Sequence, residues 1–160
     1  GPRRTVVADY FDSSVLVASY LTEANSAAAR RAVAAVPQIP YTLLHQLEVP
    51  TAFRLQVGRR RLTESEAAEV LGQLEDDVTA GRLLQVPLDL YAMFGRAALL
   101  SGRYAGRYLT RSLDILQVAT ALELGCTRFV TFDNRQARLA VACGMKAADL
   151  TTKGASPRRG

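Results

Sequence analysis

Four carboxylates stand at places in this 160-residue chain where an acid is costly. Asp12 follows the apolar, β-branched run from Thr5 to Phe11, and Asp133 directly follows a second such run, Arg128 to Phe132. Glu48 interrupts the helical stretch Leu43-Leu44-His45-Gln46-Leu47-Glu48-Val49, and Asp114 interrupts Leu113-Asp114-Ile115-Leu116. Four such groups in one pocket would repel one another and raise at least one pKa, and a divalent cation would relieve the repulsion. Oxygen-only donors suit hard ions such as Mg²⁺ or Mn²⁺. The chemistry open to such a site is attack of an ion-activated water on a phosphodiester, with a second ion about 3.5–4 Å away on the leaving oxygen.

Each aspartate also has a plain structural alternative. Asp12 and Asp133 precede residues that can begin a helix and can cap it, while Asp114 falls in a first helical turn, where the dipole stabilises a carboxylate by roughly 0.3–1 kcal/mol. Glu48 has no local capping task. Asp9, inside the first strand, reads as an edge or solvent-facing residue.

The elements that must position these acids alternate in type. Strands are expected at Thr5–Phe11, near Ile39–Tyr41, at Leu83–Val86, at Arg128–Phe132 and, as an edge, at Lys146–Ala148. Helices are expected over Val15–Leu21 and Asn25–Val36, then from a Thr42 cap through Val57 with Gly58 at C′. A capping box of Thr63 with Glu66 opens another to about Ala80. Leu88 to about Leu100, Ser112 to Leu124 and Arg135 to Cys143 complete the set, with Gly102–Arg107 as a loop. This alternation predicts one α/β domain with a mostly parallel sheet, over residues 4–150. Residues 1–3 read as the remnant of a cleaved tag and terminus, and residues 151–160 as a flexible basic tail. In such sheets ligands bind beyond the carboxyl ends of strands, where Asp12 and Asp133 fall.

Composition narrows the partners. Of 20 basic residues against 15 acidic ones, Arg3, Arg4, Lys153, Arg158 and Arg159 are terminal, so the body of the chain is formally neutral. Acids collected in one hole would leave a basic surround, and 18 of the 20 bases are arginine, which pairs bidentately with phosphate. No stretch resembles a membrane helix or a secretory leader, which gives a soluble, cytoplasmic expectation. Cys126 and Cys143 lack the spacing of a zinc site or a disulfide framework and read as buried small hydrophobes. His45 is the only histidine, which excludes a two-histidine ribonuclease and makes it a helix-surface or packing residue. Neither a P-loop nor a dinucleotide fingerprint is present. A dehalogenase-type phosphatase would need an acid where Ser14 stands, and a phosphoacceptor receiver would leave Glu48 without a task.

At these four acids the sequence resembles the PIN domain family, and within it the VapC-like ribonuclease toxins. The resemblance runs through Tyr10-Phe11-Asp12-Ser13-Ser14-Val15-Leu16-Val17, Leu47-Glu48-Val49, Arg111-Ser112-Leu113-Asp114-Ile115-Leu116-Gln117-Val118-Ala119-Thr120-Ala121 and Phe129-Val130-Thr131-Phe132-Asp133. It covers nearly the whole chain. The acids stand 36, 66 and 19 residues apart in that order, similar to the family's spacing. The resemblance implies a three-layer α/β/α fold with a central parallel sheet, a pocket for Mg²⁺ or Mn²⁺ and cleavage of RNA. It also implies a homodimer, and inhibition by a small antitoxin whose segment covers the groove and places a basic residue among the acids. The chain departs from the pattern at Pro50, two residues after Glu48, and at Gln117, where many relatives carry histidine.

Within that frame Asp12, Asp114 and Asp133 are the expected direct ligands. Glu48 is either a ligand or an orienting carboxylate, and Ser13 and Thr131 are hydroxyls for the outer shell. Arg54, Arg59, Arg60, Arg61, Arg103, Arg107 and Arg111 are candidate RNA-phosphate contacts, with a solvated charge run as the alternative for Arg59–Arg61. Tyr104 and Tyr108, alternating with arginines, are candidates for stacking unpaired bases. The functional expectation is a toxin endoribonuclease. Its alternatives are an RNA-processing nuclease outside a toxin pair and a catalytically silent module that binds RNA or protein, the latter disfavoured by the retention of four costly acids.

Overall fold

A computed structural model describes residues 8–151. In chain order the elements are β1 (Asp9–Phe11), α1 (Ser13–Tyr20), α2 (Ser26–Ala34), β2 (Ile39–Tyr41), α3 (Leu43–Gly58), α4 (Glu64–Thr79), β3 (Leu83–Gln85), α5 (Leu90–Tyr108), α6 (Ser112–Glu123), β4 (Arg128–Thr131), α7 (Asn134–Ala142) and β5 (Lys146–Asp149). The start of the first expected strand and the basic tail lie outside the described residues.

All paired strands are parallel, in two ladders: β1-β4-β5 and β2-β3. Strands β1 and β2 lie side by side without ladder bonds between them. Sequence supplies the reason. The Ile39 N–H donates to the Arg82 carbonyl at 3.0 Å, on the β3 side, so strand alternation turns position 40 toward β1. That position is Pro40, which has no N–H to give.

Alternation also sorts the core into two layers. Tyr10 and Phe129 face a cluster built by Met93, Ile115, Val118 and Leu139 from α5, α6 and α7. Their neighbours Phe11 and Val130 face Val15, Leu16, Ala29, Val49, Phe53 and Leu74 from α1 to α4. The result is a three-layer α/β/α sandwich, as expected.

Two local expectations are overturned. Gly102–Arg107 is not a loop, because α5 continues through it to Tyr108. Each glycine costs about 1 kcal/mol against alanine in a helix. The stripe Met93, Ala97, Leu100, Tyr104 and Tyr108 at helical spacing packs on the α6 side and outweighs that cost. Gly58 does not sit at C′ either. It remains in α3, and Arg60 takes the left-handed turn at φ 57° while the N–H groups of Arg59, Arg60 and Arg61 return to the carbonyls of Leu55, Val57 and Gln56. The capping box of Thr63 and Glu66 and the edge strand β5 form as expected, and Gly125 after α6 takes a left-handed turn at φ 72°. Among the described residues no helix is long and apolar enough to cross a membrane.

Candidate active site

Asp12 directly follows β1 and Asp133 stands two residues past β4, so both carboxylates lie at the carboxyl ends of neighbouring parallel strands, where strand order reverses. Both also cap helices. Asp12 accepts from the Ser14 N–H at 3.4 Å and the Ser14 hydroxyl at 2.5 Å, and Asp133 accepts from the N–H groups of Arg135 at 2.8 Å and Gln136 at 3.4 Å. Capping and clustering are thus one arrangement rather than alternatives.

Asp114, in the first turn of α6, completes the group from the third side. Burial is the main reason its carboxyl is held above the usual range, and the charges of Asp12 and Asp133 push it the same way against a smaller lowering by Arg111. The Asp12 carboxyl is also raised, first by burial and then by Glu48, while hydrogen bonds from Ser14 and Gln136 oppose the rise. The four acids are therefore one electrostatic group: Glu48 acts on Asp12, and Asp12 and Asp133 both act on Asp114.

Glu48 reaches this group from α3, whose helix runs through Pro50. Ser13 Oγ donates to Glu48 Oε1 at 3.0 Å, and Gln117 Nε2 donates to Ser13 Oγ at 2.8 Å and to the same glutamate oxygen. Thr131 is buried; its hydroxyl donates to Gln136 Oε1 at 2.7 Å and accepts from the Asp133 N–H at 2.9 Å. Gln136 Nε2 in turn donates to Asp12 Oδ1 at 3.3 Å. Both hydroxyls expected near the acids are there, Ser13 touching Glu48 and Thr131 one amide away from Asp12.

Among the described residues no three carboxylate, imidazole or thiol groups converge tightly enough to form a ready metal cage. The donor set nevertheless fits a magnesium-type ion, which keeps several waters and takes one or two carboxylates plus substrate phosphate. Asp133 Oδ2 and Glu48 Oε2 accept no hydrogen bond among the described residues, so each acid keeps an oxygen to offer.

Sequence similarity settles the family. A model of the PIN domain matches residues 10–142. The chain belongs to the PIN domain family. No curated protein matches the sequence significantly. The PIN domain's fold is similar to the crystal structure of FitAcB from Neisseria gonorrhoeae, with a TM-score of 0.59 at 15% identity, over 89% of this chain and 97% of that one. PIN domains are in general metal-dependent nucleases.

The expected phosphate contacts divide. Arg111 stands at the N-cap position of α6 without a side-chain capping bond, and its backbone N–H and its charge both lower the Asp114 carboxyl. Arg103 and Arg107 are exposed on α5, each over the ring of the next tyrosine at 6.0 and 5.5 Å. Tyr104 and Tyr108 lie on a helix and not in a loop, and they pack together at 5.8 Å between ring centres and against the α5–α7 core. Arg54, Arg59, Arg60 and Arg61 are exposed along and beyond α3, and Arg59 stands 11 residues after Glu48, about 16 Å along a helix axis. For that triplet the geometry favours the solvated run.

Of the two readings open for His45, the structure takes packing. The residue is fully buried; its Nε2 meets the Phe11 carbonyl at 2.7 Å and its Nδ1 the Thr42 N–H at 3.0 Å. Asp9 faces Arg128 at 3.8 Å across the β1–β4 register rather than open solvent. The site residues that the sequence did not disclose are Tyr10 and Gln136. Gln136 carries one signal, its i+3 spacing from Asp133.

Proposed function

We propose that this PIN domain is a divalent-metal-dependent endoribonuclease and the toxin of a type II toxin–antitoxin pair, cytoplasmic, homodimeric and held inactive by a small antitoxin. The observation that carries the reading is that Asp12 and Asp133 lie at the carboxyl ends of the paired strands β1 and β4, with Asp114 brought to them by Gln136, whose Nε2 donates to Asp12 Oδ1 at 3.3 Å and to the Asp114 carbonyl at 3.2 Å. Exposed Tyr91, Phe94 and Leu99 on α5 support a second copy as partner.

Asp12, Asp114 and Asp133 would hold Mg²⁺ or Mn²⁺. When bound, the ion supplies positive charge that acidifies water and stabilises charge developing on the phosphate. The protein's own groups do the rest. Arg111 and Arg107 draw the RNA backbone toward the acids. Ser13 and Gln117 spend themselves on Oε1 of Glu48, which leaves Oε2 to orient the attacking water and take its proton.

The test is incubation of wild type and Asp114→Asn with total RNA and Mn²⁺, with the new ends mapped. Wild type should cut and the folded variant should not. Full activity in Asp114→Asn, or undiminished cleavage in excess chelator, overturns the mechanism. Growth arrest on expression of wild type, relieved by a co-expressed short partner, tests the toxin role.

A further inference from the structure

Gln136 is fully buried, an uncharged amide set among carboxylates. Its Nε2 donates to Asp12 Oδ1 at 3.3 Å and to the backbone carbonyl of Asp114 at 3.2 Å. Its Oε1 accepts from Thr131 Oγ1 at 2.7 Å, and the same hydroxyl accepts from the Asp133 N–H at 2.9 Å. The amide has only one acceptable orientation. An ionised carboxylate and a carbonyl are acceptors only, so reversing the amide would turn its oxygen onto two other oxygens.

This one side chain reaches the end of β1, the first turn of α6 and, through a single hydroxyl, the turn between β4 and α7. Those are the segments that bear the three aspartates. Asp12 is held at both oxygens, by Gln136 on Oδ1 and Ser14 on Oδ2. With its donors and acceptor spent inside the protein, Gln136 has little to offer a substrate.

We infer that Gln136 is a positioning residue, tying the three aspartate segments in register so that the carboxylates are set before an ion arrives. The inference rests on the metal-dependent reading above. Outer partners of metal ligands typically contribute ten- to hundredfold in affinity or activity.

The test compares the full-length wild type with Gln136→Met, which keeps length but cannot donate. Calorimetric Mn²⁺ titration should show a dissociation constant raised roughly tenfold or more, and RNA cleavage should show a fall in kcat with KM unchanged. A purely structural glutamine would lower the melting temperature only. In the metal-free protein, the side-chain NH₂ signals missing from Gln136→Met should shift in Asp12→Asn. Should Gln136→Met fail to fold, Thr131→Val decides, with the same direction of change and Thr131→Ser restoring wild-type behaviour. A folded Gln136→Met, or Thr131→Val in its place, with wild-type Mn²⁺ affinity and kcat overturns the inference. If Asp114→Asn is dead in that same experiment, the nuclease reading survives. A folded wild type that neither binds Mn²⁺ nor cleaves RNA overturns both.

Discussion

The hydroxyl of Tyr10 on β1 donates to Oε1 of Gln117 on α6, a contact that decides where the Gln117 amide sends its own protons. With Oε1 taken, Nε2 is directed to Ser13 and Glu48. Tyr10→Phe should leave a buried amide oxygen unpaired, at a cost of about 1–3 kcal/mol. Urea unfolding measures the loss, and RNA cleavage should fall as Glu48 loses its fixed orientation. An unchanged urea midpoint would show that the contact contributes nothing.

Asp114 sets function against stability. Its carboxyl is raised by burial and by Asp12 and Asp133, so the folded state disfavours its charge. Asp114→Asn removes that charge. In chelator the variant should melt higher than wild type, although it cannot cleave. Mn²⁺ at a hundred times its dissociation constant should stabilise the wild type by about 2.7 kcal/mol and the variant far less. Paired melting curves with and without Mn²⁺ check both statements.

His45 makes the fold sensitive to acid. Burial lowers its pKa from 6.5 to about 4, against a smaller opposing effect of the Phe11 carbonyl. The unfolded chain therefore binds a proton that the folded chain refuses between those values. Stability should be unaffected by this residue above pH 6.5 and fall below it by up to about 1.4 kcal/mol per pH unit. The slope should end near pH 4. The raised carboxyls of Asp12 and Asp114 act the opposite way, so the comparison that isolates His45 is with His45→Gln. That variant should lose the slope in urea midpoints collected across this window.

Arg111 is the arginine closest in effect to the acids. Arg111→Ala should raise KM for RNA and leave kcat nearly unchanged. The salt dependence of binding should weaken by about 0.7 in log–log slope, the share of one phosphate contact on a single strand. Binding measured at several salt concentrations reads this directly, and an unaltered slope would exclude a phosphate contact at Arg111.

The sequence was legible where a local rule and the packing agreed. Thr63 with Glu66 reads as a helix start and is one; β4 reads as a buried strand and is one. Asp12, Glu48 and Asp114 were legible because a carboxylate beside or within an apolar run is costly to bury and needs a task to keep it there. The errors arose where tertiary packing overrode local cost, as in α5, whose glycines fall on the open side of a well-packed helix. Apart from its spacing from Asp133, Gln136 was not legible because an uncharged amide close to Arg135 and Arg138 looks like any surface position. Only the arrival of three distant segments around it makes it special.

The missing ladder between β1 and β2 runs a seam through the candidate site. On one side lie the three aspartates, carried by β1, β4 and the helix α6; on the other lies Glu48, carried by α3 after β2. His45 reaches over the seam to the Phe11 carbonyl, which faces away from β4, and so stands in for the strand bond that Pro40 withholds. Bringing Glu48 to the three preset aspartates therefore means closing the least stitched join in the sheet, and loading with Mn²⁺ should slow amide exchange first along that line.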